Sequence, residues 1–283
     1  MADLNLEVLR GWIGQRETRT DLVTAAPLAA LAATLDRDDV DSLSEVPPLH
    51  HWLYFLPATP MRQLGADGHP ARGGFLPPVP LPRRMWAASR VRFHRPLRVA
   101  ETITRTSEIV DVQAKDGKSG PLVFVKVRHE LAMDLAPAIT EDQEIVYRED
   151  PRPGAPSPAP KPAPGDAVWQ REIRPDPVLL FRYSASTFNG HRIHYDRPYA
   201  TDVEGYPGLV VHGPLLATLL ADLVRRNLPD ATLAHFEFRA VRPVFDSAPF
   251  QLCGAPAPDG RSVSLWVRDA EGALCMEAGA TLS

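Results

Sequence analysis

A chain of 283 residues, 44% of them hydrophobic and 23% charged, is long enough for one large domain or two ordinary ones around a sizeable core. The formal net charge of −4 and a pI near 6.1 exclude a basic nucleic-acid footprint as the main activity, while leaving room for a local basic pocket. No apolar run approaches the roughly 18 residues of a membrane span.

The chain begins M-A-D-L-N-L-E-V-L-R, with no basic segment running into an apolar core, so no signal peptide is expected. Thr20-Asp21 then precede L-V-T-A-A-P-L-A-A-L-A-A-T-L, alanine and leucine at helical spacing behind a capping residue. Pro27 inside that run implies a kink or a late helix start. Further on, Val91–Val99 reads V-R-F-H-R-P-L-R-V and is followed by alternating, β-branched-rich segments. These are Glu101–Val112 and Leu122–Met133, with a turn expected at Asp116-Gly117.

Thirty prolines are present, and they crowd residues 151–166, P-R-P-G-A-P-S-P-A-P-K-P-A-P-G-D. Proline fixes φ and lacks an amide donor, so this stretch reads as an extended linker between a half at 1–150 and a half at 167–283. The two halves look related. Phe238–Asp246, F-R-A-V-R-P-V-F-D, aligns with Val91–Val99, Arg95-Pro96-Leu97 matching Arg242-Pro243-Val244 at an offset of 147 residues. Strands are again expected after it, at Pro249–Cys253, Ser262–Val267 and Ala273–Leu282, with turns at Asp259-Gly260 and Glu271-Gly272. The two cysteines, Cys253 and Cys275, fall inside these strand-like runs, which suits reduced core residues and a cytoplasmic protein.

The strongest helix signal opens at His212-Gly213 and runs P-L-L-A-T-L-L-A-D-L-V-R-R-N. Pro214 suits a first turn, and Arg225 and Arg226 suit the C-terminal end of the dipole. Leu215 to Leu223 is apolar almost throughout, which asks for a helix wrapped by a sheet. A buried helix gripped by a curled antiparallel sheet is the hot-dog arrangement, so the fold class expected is α+β, a double hot-dog with each sheet packed around a helix.

Chemistry gathers just upstream, in F-N-G-H-R-I-H-Y-D, residues 188–196. His191 and His194, with Asp196 or His212, could ligate a metal, but no cysteine is near and no His-Glu-x-x-His pattern is present. No metal is expected. The acid/base reading is stronger because the helix start at Gly213 complements it. Its first turn leaves N–H groups and a positive dipole end for an oxygen that gains negative charge.

The segment F-R-Y-S-A-S-T-F-N-G-H-R-I-H-Y-D-R-P-Y-A (181–200), followed by Y-P-G-L-V-V-H-G-P, resembles the MaoC-like (R)-specific enoyl-thioester hydratase superfamily. The resemblance is to its double-hot-dog subgroup of mesaconyl-C4-CoA hydratases and 3-hydroxyacyl-thioester dehydratases. H-H-W-L-Y-F-L-P (50–57) and G-G-F-L-P-P-V-P-L-P-R-R-M-W (73–86) are similar to that subgroup's N-terminal half. The resemblance implies a hydratase motif Asp-x-Asn-Pro-Ile/Leu-His whose histidine falls on His194 and whose aspartate position is taken by Asn189. An amide orients water but exchanges no proton, which shifts the proton work to His194. Gly213 would donate its N–H to the thioester oxygen. His191, Arg192, Arg197, Val211 and His212 would contact the substrate, and Asp196 would pair with an arginine or cap a turn.

The implied reaction is reversible hydration of an enoyl-CoA thioester, short or branched and dicarboxylic, with coenzyme A inside the substrate and no other cofactor. The first half would shape the acyl pocket. One buried arginine would hold a free carboxylate, and Arg182, Arg192, Arg197, Arg239 and Arg242 are the candidates. A hot-dog thioesterase and a non-catalytic acyl-thioester binding protein are the alternatives. An acyl carrier protein could replace coenzyme A, and the chain could be a monomer or a homodimer.

Overall fold

The computed structural model describes residues 4–38, 44–117, 120–150 and 159–283. The first half contributes β1 (Arg16–Leu22), β2 (Arg83–Phe93), β3 (Thr102–Gly117), β4 (Gly120–Met133) and β5 (Ala136–Arg148). The second contributes β6 (Trp169–Ile173), β7 (Leu233–Ala240), β8 (Phe250–Pro256), β9 (Ser262–Arg268) and β10 (Leu274–Leu282). All pair antiparallel in one sheet of order β1-β3-β4-β5-β2-β7-β10-β9-β8-β6.

Read outward from its centre, that order is the same topology twice, joined where β2 pairs with β7. The detail repeats as well. Phe93 and Ala240 end the two central strands at the same 147-residue spacing as Arg95 and Arg242. The next two amides in each half, His94 and Arg95 or Val241 and Arg242, converge on one carbonyl, Ala138 or Cys275.

The helices α1 (Leu6–Arg10), α2 (Ala25–Thr34), α3 (Pro177–Ser186) and α4 (Gly213–Asn227) follow local rules. Asp176 caps α3 through Leu179 N–H, with Pro177 in the first turn. In α4 every residue from Leu215 to Val224 is buried, and the helix packs on β6 to β10. Each of its buried leucines contributes about 2 kcal/mol of burial, which is what closes the second sheet around it.

Thr20 and Asp21 do not start a helix. They belong to β1, where Thr20 stands opposite Thr104 and Asp21 opposite Ile103 of β3, and the Asp21 carboxylate accepts the amides of Leu22 and Phe55. The helix starts late, at Ala25, which puts Pro27 in the first turn where its missing N–H removes no bond. Asp116-Gly117 is not the turn either, since β3 continues through Gly117 to pair with Gly120; residues 118–119 lie outside those described. Of the expected linker, 151–158 lie outside the described residues. Residues 161–163 run along the turn before β10, with Pro162 bridged to Ala273 and Lys161 paired to Glu277 at 2.8 Å.

Among the described residues the first half has no counterpart of α4, contrary to the expectation of a helix in each sheet. Between α2 and β2 run only two short 3-10 turns, His50–Leu53 and Met61–Gln63. Nine prolines between Pro47 and Pro82 forbid a long helix there. Beside strands β3 to β5, and lined by both halves, lies a cavity of about 1100 Å³.

One buried ion cluster ties the halves together beside α4. Asp222, with no side-chain exposure, accepts from Arg37 at 3.0 Å, Arg171 at 3.1 Å and Arg226 at 2.6 Å. Arg171 and Arg226 also donate to the Leu35 carbonyl at the end of α2. Removing one partner from such a group leaves buried like charges facing one another. Asp222→Asn is therefore expected to cost about 3 kcal/mol, seen as a Tm lower by roughly 6–12 °C. A change below about 2 °C in a thermal melt would show that the arginines need no buried counter-charge.

Candidate active site

The loop after α3 is built by turn chemistry. Phe188 takes a left-handed φ of 51°, and Asn189 N–H returns to the Ser184 carbonyl at 2.8 Å. Asn189 Oδ1 then accepts His191 N–H at 3.0 Å, an Asx turn leading into the 3-10 turn Arg192–His194.

His194 is buried. Its Nδ1 lies 2.7 Å from the Val210 carbonyl, which only accepts, so Nδ1 carries the proton and Nε2 keeps its lone pair. The ring stacks on His212 at 3.7 Å and 19°. His212 is fully buried, hydrogen-bonded through Nε2 to the Ser184 hydroxyl at 2.8 Å, and its Nδ1 has no hydrogen-bond partner among the described residues. It stands at the N-cap of α4 without capping it by its side chain, so the first amides of the helix, beginning with Gly213, stay open. A Cβ at Gly213 would find only the Trp86 carbonyl, at 3.9 Å, so no protein contact demands glycine there.

A second loop, absent from the sequence expectations, meets this one. Asp67-Gly68-His69 repeats the design of Asn189-Gly190-His191: Asp67 Oδ1 accepts His69 N–H at 3.0 Å. The two turns pack glycine to glycine. Gly68 has φ +87°, and a Cβ there would come within 1.9 Å of the Gly190 carbonyl. His69 Nδ1–H donates to Asp67 Oδ2 at 2.9 Å, and the His69 and His191 rings are 4.0 Å apart. With His191 to His194 at 5.3 Å, four imidazoles form a row: His69, His191, His194, His212.

Burial governs the charge of this row. It pushes His191 and His194 down to about 3, His212 well below its ordinary value, and His69 in the same direction against the pull of Asp67. Burial, the largest single influence, would raise Asp67, but the hydrogen bonds and charge interaction with His69 together with His191 outweigh it and hold the carboxyl well below the usual range. Asp67, His69 and His191 also gather within 4.8 Å, a donor set able to hold a cation, although Asp67 and His69 are already joined to each other.

The cavity wall takes Ser184, Asn189, Arg192 and Pro214 from the second half and Trp52, Phe55, His69, Trp86, Arg105, His129 and Glu141 from the first. His191, His194, Val211, His212 and Gly213 are not part of that wall; they adjoin it through Asn189, Ser184 and Pro214. Val211 is a buried apolar residue whose amide is held by the Val244 carbonyl.

Two arginines expected at the substrate are committed to the fold. Arg192 gives two bonds to Asp196, a third to the Ala66 carbonyl, and its guanidinium lies 4.1 Å from the Tyr199 ring centre. Arg197 is exposed and paired with Asp246. Of the others considered, Arg239 binds Glu277 and Arg242 binds Asp269, and neither lines the cavity; nor does Arg182. Asp196, paired with Arg192 and accepting Tyr199 N–H, is structural as expected.

The first half also supplies a buried carboxylate. Glu141 accepts from His51 Nε2 (3.0 Å), Trp52 Nε1 (3.0 Å), Ser89 Oγ (2.8 Å) and Gln143 Nε2 (3.1 Å). Burial would raise its pKa; these donors, His51 first, bring it down to about 2. The triplet D-G-H at 67–69, matching N-G-H at 189–191, is the sequence signal by which the second loop could have been found.

Residues 49–246, more than half of the chain, match the family described as hydroxyacyl-thioester dehydratase type 2. The mesaconyl-C4-CoA hydratase of Chloroflexus aurantiacus is 48% identical over 272 residues, covering 94% of this chain and 95% of that protein. A mitochondrial hydroxyacyl-thioester dehydratase type 2 of Schizosaccharomyces pombe is 29% identical over 271 residues, covering 82% and 88%. In fold, a MaoC-like dehydratase from Phytophthora capsici matches over 99% of both chains with a TM-score of 0.70 at 16% identity. A Mycobacterium tuberculosis protein described as a double hotdog matches over 96% of both with a TM-score of 0.57 at 16% identity. The α+β double hot-dog is therefore the fold.

The buried imidazoles link stability to pH. Unfolded, each takes a proton near 6.5; folded, His194 refuses it until about 3, and His50 and His129, both lowered by burial, until about 4. The unfolded state thus binds more protons below pH 6.5, and stability falls as pH drops through that window, by at most about 1.4 kcal/mol per unit and per imidazole. The Tm is expected to be level from pH 8 to 7 and to descend from 6.5 to 5, above the range where carboxylates titrate. His194→Gln should flatten the descent; a wild-type Tm unchanged down to pH 5 would contradict it.

Proposed function

Because this chain belongs to the hydroxyacyl-thioester dehydratase type 2 family and is a hydratase/dehydratase of enoyl thioesters, we propose that it hydrates a short or branched dicarboxylic enoyl-CoA such as mesaconyl-C4-CoA, using His194 as base and Gly213 as oxyanion donor. The observation that carries the assignment is the row of neutral imidazoles against the open N-terminus of α4, beside the cavity lined by both halves. Near full-length similarity to the Chloroflexus hydratase supports the dicarboxylic acyl group and coenzyme A over an acyl carrier protein.

In this reading the acyl group lies in the cavity with its thioester oxygen toward Gly213 N–H and the dipole end of α4. Water approaches His194 Nε2, which accepts a proton as the hydroxyl bonds to the β-carbon. The double-bond electrons move toward the thioester, forming an enolate whose oxygen the helix end stabilises. The enolate then collapses, and the α-carbon takes the proton back from His194. The balance closes on water alone, with no metal or redox cofactor.

Asn189 holds the turn through Oδ1 and keeps its second lone pair and its NH₂ group for water. Asp67 supplies the negative charge that an amide at 189 lacks: through His69 and His191 it offsets the positive charge that His194 acquires. His191, Val211 and His212 position the loop and helix start, and Arg192 locks the two Asx-Gly-His turns. The first half, residues 1–150, shapes the acyl pocket, and 167–283 carries catalysis. Two free, buried cysteines support a reducing, cytoplasmic setting. The internal β2–β7 junction already pairs two hot-dog units, which is compatible with a monomer or a homodimer.

His194→Ala is expected to lower kcat on mesaconyl-C4-CoA at least 1,000-fold with the melting transition retained. Asp67→Asn is expected to lower kcat about 10-fold with KM nearly unchanged. Loss of enoyl absorbance without release of free thiol identifies hydration; thiol release would identify a thioesterase. Near-normal hydration by His194→Ala would sink the mechanism.

A further inference from the structure

The concave face of the first-half sheet carries a polar stripe between two apolar clusters. On β3, Arg105 stands opposite Leu131 and Ser107 opposite His129 of β4; His129 in turn stands opposite Glu141 of β5. His129 Nδ1 and the Ser107 hydroxyl are 2.8 Å apart. Arg105, His129, Leu131, Glu141 and Gln143 all face the cavity. The tryptophans join this stripe to the start of α4. Trp52 bonds Glu141, its ring lies 4.9 Å from that of Trp86, and the Trp86 carbonyl is what a side chain at Gly213 would meet.

Charge on the stripe is unevenly satisfied. Glu141 has four donors, so its negative charge is covered. Arg105 is the opposite case. Its guanidinium makes no hydrogen bond among the described residues, and its Nε is buried without a partner. The nearest anion, Glu17, is 3.9 Å away and is shared with Arg19 at 3.2 Å. The Phe55 ring, with its centre 4.9 Å from Arg105 Cζ, supports the guanidinium from one side. Burial pushes Arg105 below its ordinary pKa, and Glu17 only partly restores it. The other arginine of the cavity wall, Arg192, is spent on Asp196 and Ala66.

We propose that Arg105 binds the free carboxylate of the dicarboxylic acyl group and so makes this end of the cavity select a carboxylate-tipped substrate over a neutral one. The proposal rests on the dicarboxylic reading above and names the residue that would enforce it. A planar guanidinium with unused, partly desolvated donors matches a carboxylate in a forked pair. A site built to bond such a group discriminates strongly against the analogue that lacks it, because its own donors are then left unpaired. Arg105 is not among the arginines that the linear pattern around 182–197 or 239–242 would suggest, because it lies on the half without the catalytic loop.

The test compares mesaconyl-C4-CoA with crotonyl-CoA, a neutral short enoyl thioester, on the wild type, Arg105→Gln and Arg105→Lys. Arg105→Gln is expected to lose at least 100-fold in kcat/KM for the dicarboxylic substrate, chiefly through KM, with crotonyl-CoA turnover within about threefold of wild type. Arg105→Lys should keep part of the preference. Retained crotonyl-CoA turnover also reports that each variant is folded. An equal loss on both substrates, or an unchanged preference in Arg105→Gln while the wild type hydrates mesaconyl-C4-CoA, overturns the role of Arg105 alone. A wild type that hydrates crotonyl-CoA but no dicarboxylic thioester overturns the substrate reading and this inference together.

Discussion

A long helix that is buried on every side from Leu215 to Val224 can be stable only if a sheet closes around it, and α4 imposes that condition on this chain. Strands β6 to β10 meet it for the second half. The first half repeats the strand order without, among the described residues, a counterpart of α4, because prolines from Pro47 to Pro82 prevent one. Its concave face is then covered only at the ends. The middle is left open as a cavity, floored by side chains that no ordinary core would hold. Pocket and buried helix are thus two outcomes of one duplicated topology.

Across the β2–β7 seam, the contact that matters most to chemistry is small. Gly68 against Gly190 lets two Asx-Gly-His turns touch at backbone distance, and no side chain fits between them. That approach brings Asp67 and His69 into the imidazole row and takes His191 and His194 out of water. Desolvation keeps the row neutral, so His194 remains in its proton-accepting form, and the same desolvation makes the fold sensitive to acid.

Much of the second half was legible because its determinants are local. His212-Gly213-Pro214, the apolar run behind it and the terminal arginines specify α4 within one residue, and the turn-and-strand order of residues 249–282 follows from alternation and Asp-Gly signals. The loop at 188–196 was legible as a cluster but not in its bonding. Arg192 and Arg197 carry charge suited to a substrate, yet each has a carboxylate of its own, Asp196 or Asp246, which only the fold identifies. Asp21 likewise has the sequence of a helix cap and the position of a strand residue, since its partner Phe55 is 34 residues away. The place of His69, Arg105 and Glu141 on the cavity wall, and of Asp67 beside His69, was not legible at all. Each acquires its meaning from the opposite half or from a neighbouring strand.

The separation of roles along the sheet bears on how such an enzyme changes over time. Strands β3 to β5 line the cavity, whereas α4 packs chiefly on β6 to β10, so residues there can be exchanged for a new acyl shape while the loop around His194 and the helix start stay in place. Main-chain bonds between β2 and β7 hold the two units in register whatever those side chains are. Duplication within one chain frees one copy to drift, whereas a symmetric pair of identical subunits would have to alter both copies at once. The joined sheet is in this sense a device for evolving selectivity without disturbing catalysis.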